Sequence, residues 1–158
     1  MPIRARRRNS GCMAQAPAPV EVSVKVFLAE DSTPIRERVA RMLCTQGIDV
    51  VGQAKSPQEA AAGILATRPD VVVLDIQLQA GTGLDVMRAV RSAAPHIAFV
   101  VLSNNAGPAY RKLYRMEGAS HFLDKSNDFD QLAQTVKAVA RTGARTDVKS
   151  LAPSASKP

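Results

Sequence analysis

Short apolar runs rich in β-branched residues recur at residues 24–29, 49–54, 71–75, 97–102 and 120–123. Each is bounded by polar or turn-forming residues, which is the pattern of a strand. Between them the apolar positions open to helical spacing. Ile35, Val39, Met42 and Leu43 follow Thr33-Pro34, and a second helix begins at Ser56-Pro57-Gln58-Glu59. Leu84, Met87 and Val90 form a third, Leu113 and Met116 follow Gly107-Pro108, and Phe129, Leu132, Val136 and Val139 follow Asn127-Asp128. Serine followed three residues on by glutamate predicts a capping box, and proline suits a first helical turn, where its missing N–H has no partner to lose. Strands apolar on both faces, alternating with helices, predict a parallel sheet covered on both sides. Five such units predict an open, doubly wound α/β domain over residues 23–142, since a closed barrel needs eight.

The flanks differ. Residues 1–22 and 143–158 are rich in Ala, Pro, Ser, Arg and Lys and are expected to be flexible tails, with Met13 an alternative start. They also carry the charge: the net +7 comes from the two ends, because residues 13–140 hold 13 basic and 13 acidic side chains. Nucleic-acid binding is therefore not expected of the folded part. No apolar run is long enough to span a membrane, and no secretory signal core is present, so a soluble, cytoplasmic chain is expected. Cys12 and Cys44 lie in unlike contexts and are expected to be unpaired. With only His96 and His121 beside them, neither a zinc site nor a histidine-based catalytic set has enough members.

Ligands of open α/β sheets bind outside the carboxyl ends of the strands. Here those ends deliver Glu30-Asp31, Asp75, Ser103 and Lys125 from four different strands. Two carboxylates about 4 Å apart repel by roughly 4 kcal/mol at an effective dielectric of about 20. One lysine cannot balance three of them, whereas a hard divalent ion with oxygen ligands can. Magnesium suits such a set because it takes few carboxylates and accepts phosphate oxygens, which points to phosphoryl chemistry.

The segments LAEDS at 28–32, VVVLDIQL at 71–78, GTGLDV at 81–86, VVLSN at 100–104 and GASHFLDKS at 118–126 resemble, in order and spacing, the receiver domain of bacterial two-component response regulators. The resemblance implies a flavodoxin-like (βα)5 fold with strand order 2-1-3-4-5. It implies that Asp75 is the phosphoacceptor for a sensor histidine kinase or histidine phosphotransfer protein, and that Mg²⁺ is held by Glu30, Asp31, Asp75 and the backbone carbonyl of Gln77. Lys125 and Ser103 would contact the phosphoryl oxygens, Ser103 and Phe122 would act as the switch, and Gln77 and Asn105 would orient or obstruct hydrolytic water. A downstream protein would be met through the face of the fourth helix, fifth strand and fifth helix, with homodimerisation open. The chain would assist its own phosphorylation without being a conventional enzyme.

Three positions depart from the family pattern. The acidic pair is Glu-Asp rather than Asp-Asp, Gln79 stands where proline is frequent, and Ser126 replaces the proline that often follows the lysine. A non-proline cis bond costs about 2.5–4 kcal/mol, so the 125–126 bond is expected to be trans. Tyr110 and Tyr114 read as packing and surface residues, and His96 as a loop residue. An aspartyl phosphatase would want a second Asp at position 77, and a flavin carrier would want a phosphate-binding loop where Glu30-Asp31 stands. A receiver that works without phosphorylation would not need the full acid, hydroxyl and lysine set. If nothing follows residue 158, the chain is a single-domain regulator, because about 16 residues after the last helix cannot form a DNA-binding module. The alternative is the receiver portion of a larger DNA-binding transcriptional regulator.

Overall fold

A computed structural model describes the backbone of residues 23–105 and 107–151, with side chains through residue 142. Five parallel strands form the sheet: β1 (Lys25–Ala29), β2 (Asp49–Ala54), β3 (Val71–Leu74), β6 (Ala98–Ser103) and β7 (His121–Asp124). Their spatial order is β2-β1-β3-β6-β7, the flavodoxin-like order 2-1-3-4-5 when these strands are counted along the chain. The helices are α1 (Thr33–Thr45), α2 (Pro57–Thr67), α3 (Gly83–Ala93), α4 (Pro108–Met116) and α5 (Leu132–Leu151), the last preceded by a 3-10 turn at Phe129–Gln131.

Alternation along each strand explains the unbroken apolar runs. Val71 and Val73 pack with Val39 and Leu43 of α1 and Leu132 and Val136 of α5. Val72 and Leu74 face the other way, toward Ile64 of α2, Val86, Met87 and Val90 of α3 and Tyr114 of α4. A central strand flanked by helices on both sides must be apolar at every position, and β3 is buried throughout.

Several expectations are sharpened. Ser56 Oγ accepts the Glu59 N–H, but the glutamate reaches back to the N–H of Lys55 rather than to that of Ser56. A small antiparallel ribbon, β4 (Gln77–Leu78) with β5 (Gly81–Thr82), interrupts the connection to α3. Two-residue strands leave no periodicity to find. Helix α5 runs on through Leu151, past the boundary at 142 that composition indicated for a tail. The expectations for residues 1–22 and 152–158 lie outside the described residues. Cys44, expected to be unpaired, is disulfide-bonded, with its partner outside the described residues.

Phe27 sits in a slot cut by two glycines. A Cβ on Gly52 or on Gly63 would come within 2.6 Å of its ring, so β2 and α2 both close on that ring. Alanine in an open helix normally gains about 0.5–1 kcal/mol over glycine. Gly63→Ala is instead expected to cost roughly 1–3 kcal/mol by overpacking. Urea denaturation checks this, and a variant as stable as the parent would show that the slot has slack.

Candidate functional site

Burying a polar side chain is costly unless it is partnered. The buried polar side chains among the described residues are Glu30, Asp75 and Ser103. All three stand at the carboxyl edge of the sheet: Glu30 and Asp75 just past the ends of β1 and β3, and Ser103 at the end of β6. The register brings them together, with Leu74 opposite both Ala29 and Val101, and Ser103 opposite Asp124, the residue before Lys125.

Oxygens of Glu30, Asp31 and Asp75 lie within 4.8 Å of one another. Lys125 Nζ is 2.7 Å from Glu30 Oε1 and 3.1 Å from Asp75 Oδ2, and its side chain is only 9% exposed. Three carboxylates against one ammonium leave two negative charges unbalanced. Burial pushes the Glu30 carboxyl above its ordinary 4.5, opposed by the Lys125 hydrogen bond and reinforced by the Asp75 charge. Burial alone would depress Lys125, but the Glu30 hydrogen bond and the charges of Asp75 and Glu30 outweigh it and hold the ammonium above its ordinary 10.5.

Backbone contacts aim these groups. The Asp75 N–H donates to the Ala29 carbonyl at 3.0 Å, and Asp75 Oδ1 accepts the Ile76 N–H at 2.7 Å, so Oδ2 is the oxygen that meets Lys125. Glu30 Oε2 accepts the Ser32 N–H at 3.0 Å. Arg36 Nη1 donates to the Glu30 carbonyl at 2.8 Å, and its Nε donates to Gln53 Oε1 of β2. A Cβ on Gly83 would stand 2.5 Å from the Asp75 carbonyl oxygen, so only glycine lets α3 start this close to Asp75.

The donor set fits a hard dication. It offers only oxygens, carries surplus negative charge and includes one exposed ligand, Asp31, through which solvent can complete a coordination shell. Gln77 lies in β4, two residues past Asp75, with its side chain exposed. Ser103 Oγ accepts the Asn105 N–H at 3.1 Å, and the Ser103 carbonyl accepts the Lys125 N–H at 3.0 Å. Phe122 is apart from the carboxylates. Its ring is buried edge-on against Tyr114, with centroids 6.0 Å apart and the Arg111 guanidinium 5.2 Å from the ring centre. Tyr114 is in the core, where burial pushes its hydroxyl up to about 12, while Tyr110, His96 and His121 are exposed. No cis peptide occurs among the described residues, so the 125–126 bond is trans as expected.

Sequence reasoning passed over Arg36, Gly83 and Asp124, and took Asp128 only as part of the start of the last helix. Gly83 left a signal, falling at the junction between a strand-end carboxylate and a helix start. Arg36 was one of several arginines in α1, and Asp124 looked like an ordinary strand-end acid.

The sequence profile of the response regulator receiver domain matches residues 26–137. Among curated proteins, the DNA-binding transcriptional activator DevR/DosR of Mycobacterium tuberculosis is 35% identical over 117 residues, 73% of this chain and 54% of that protein. The transcriptional regulatory protein DegU of Brevibacillus brevis is 29% identical, with 78% of this chain and 53% of that protein covered. The chain thus spans about half the length of these relatives. A LuxR-family two-component response regulator from Aurantimonas sp. SI85-9A1 superposes with a TM-score of 0.73 at 26% identity, covering 77% of this chain and 87% of that one. A CheY-like receiver domain protein from Methanospirillum hungatei, 17% identical with a TM-score of 0.72, covers 78% and 98% and shares the fold.

Lys125→Met keeps length and packing while removing the ammonium that pairs with the carboxylates of both Glu30 and Asp75. In chelator at neutral pH it is expected to cost roughly 1–3 kcal/mol in denaturant unfolding. The Glu30 pKa is raised in the fold, so its penalty applies above that pKa and vanishes below the unfolded value. The deficit should therefore shrink as pH falls into the carboxylate range. A deficit independent of pH would assign the loss to packing.

Proposed function

Because the chain belongs to the response regulator receiver domain family, we propose that it accepts a phosphoryl group on Asp75 from a sensor histidine kinase or a histidine phosphotransfer protein. The observation that carries this reading is the single ammonium of Lys125 bridging Glu30 and Asp75 beside Asp31. An Asp75 carboxylate oxygen attacks phosphorus as the phosphorus–nitrogen bond to the donor imidazole, protonated on its other ring nitrogen, breaks, leaving an acyl phosphate on this chain and a neutral histidine on the donor. Lys125 pairs with Asp75 beforehand and then with a phosphoryl oxygen. The Ser103 hydroxyl donates to a second. Glu30, Asp31, Asp75 and the Gln77 carbonyl would hold Mg²⁺, which when bound offsets the surplus charge and draws charge from the transferring group.

The new charge on Asp75 would be read through Ser103 and Phe122 by the surface of α4, β7 and α5. The exposed large apolar side chains among the described residues, Tyr110, Leu113 and Met116, are all on α4, which suits a protein partner there. The chain then acts as a phosphoacceptor that assists its own turnover rather than as a conventional enzyme. Its proposed place is the cytoplasm, and no described helix is long and apolar enough to cross a membrane.

A second reading, the receiver portion of a DNA-binding regulator, is supported by relatives of which the match covers only about half and whose names denote transcriptional control. In that case phosphorylation would change the DNA affinity of the longer protein. This chain alone would bind nucleic acid only through its basic ends, and the binding would fall steeply with salt.

With Mg²⁺ and acetyl phosphate, intact mass measurement should show one labile phosphoryl adduct. It should be absent from Asp75→Asn and in chelator, and slowed on the order of tenfold to a hundredfold in Glu30→Gln or Asp31→Asn. An adduct that persists in Asp75→Asn would overturn the assignment.

A further inference from the structure

Lys125 must place one charge on two carboxylates, yet the loop carrying it has no proline to stiffen it. Its backbone is instead closed by side chains. Asp128 Oδ2 accepts the Asp124 N–H at 2.9 Å, and the Asp128 N–H donates to the Asp124 carbonyl at 2.7 Å, so one residue grips both backbone polar groups of another across Lys125. The Asp124 carboxylate accepts the Ser126 N–H at 2.8 Å and Asn127 Nδ2 at 3.1 Å. The Lys125 N–H is itself fixed to the Ser103 carbonyl at 3.0 Å. Because β7 is an edge strand, the outward N–H of its last residue has no neighbouring strand to pair with, and the Asp128 carboxylate takes that place.

An aspartate at this point would ordinarily be a helix cap. Asp128 does precede the 3-10 turn, but its side chain makes no capping bond there and turns back to Asp124. Neither Asp124 nor Asp128 forms an ion pair with Lys125, whose partners are Glu30 and Asp75. Their effect on the lysine is therefore geometric rather than charge competition.

We propose that Asp128 is a positioning residue for phosphoryl transfer, clasping Asp124 so that Lys125 is delivered to Asp75 from an all-trans loop. This rests on the reading of Lys125 as the cationic partner of the phosphoryl group. Small misplacements of such groups are costly, on the order of a hundredfold per ångström.

The test is a double-mutant cycle on adduct formation from acetyl phosphate with Mg²⁺, using wild type, Asp128→Ala, Lys125→Ala and the double variant. Asp128→Ala should be slower by on the order of tenfold, Lys125→Ala slower still, and the double variant no slower than Lys125→Ala alone. Asp128→Asn keeps an acceptor oxygen in place without charge, whereas Asp128→Glu keeps charge but displaces the oxygen. Asn should be the faster of the two, a comparison that stands even if the alanine variant fails to fold. The proposal is overturned by a wild-type rate in Asp128→Ala, by its full effect persisting without Lys125, or by Glu outperforming Asn. A wild-type chain that takes no phosphoryl group, or a Lys125→Ala variant that takes it at the wild-type rate, would instead remove the underlying reading of the site.

Discussion

An unbalanced cluster of negative charge at one edge of the sheet is the constraint on which the rest of this molecule turns. Oxygens of Glu30, Asp31 and Asp75 crowd within 4.8 Å, and among the described residues Lys125 supplies the ammonium paired with the carboxylates of both Glu30 and Asp75. In water this would matter little. Here two of the carboxylates and the lysine are largely buried, where charge interacts more strongly and desolvation penalises every uncompensated anion. The pocket is thus held in an electrostatic state that a dication or a phosphoryl group can change, which is the property a switch requires.

The fold makes that cluster possible at small cost elsewhere. Parallel strands point their carboxyl ends the same way, and crossover helices leave those ends open, so chemistry from β1, β3, β6 and β7 converges without distorting either core. The two apolar layers fix strand register, and register fixes where Asp75 meets Lys125. Around the edge, hydrogen bonds to backbone groups do the aiming: the Ile76 N–H on Asp75, the Arg36 clamp on the Glu30 carbonyl and the Asp124–Asp128 clasp beneath Lys125.

Much of this was legible in the sequence because the signals were local and repeated. Val71 to Leu74 had to be a central strand, and a charge directly after such a strand had to lie at a sheet edge. Three further strand ends with polar residues at corresponding places made the cluster readable without coordinates. What escaped was short, non-local or chemically ordinary. The β4–β5 ribbon is too brief to have a period, and α5 continues through Ala, Thr and Gly residues whose composition also fits a tail. Phe122 was recognisable, but its burial against Tyr114 and Arg111 depends on how α4 packs over β7. Asp128 looks like an ordinary helix-start aspartate until its carboxylate is seen turned backward.

The balance of charge in the pocket is tested most directly by comparing the unfolding free energy of wild type and Asp75→Asn, in chelator and across a Mg²⁺ titration. If repulsion among the carboxylates dominates, removing one should make the chelated variant more stable than wild type. Mg²⁺ should then stabilise wild type progressively, as a ligand of the folded state must, and stabilise the variant far less. Wild type indifferent to Mg²⁺, together with a variant destabilised in chelator, would show that Lys125 already satisfies the cluster and that no dication belongs there.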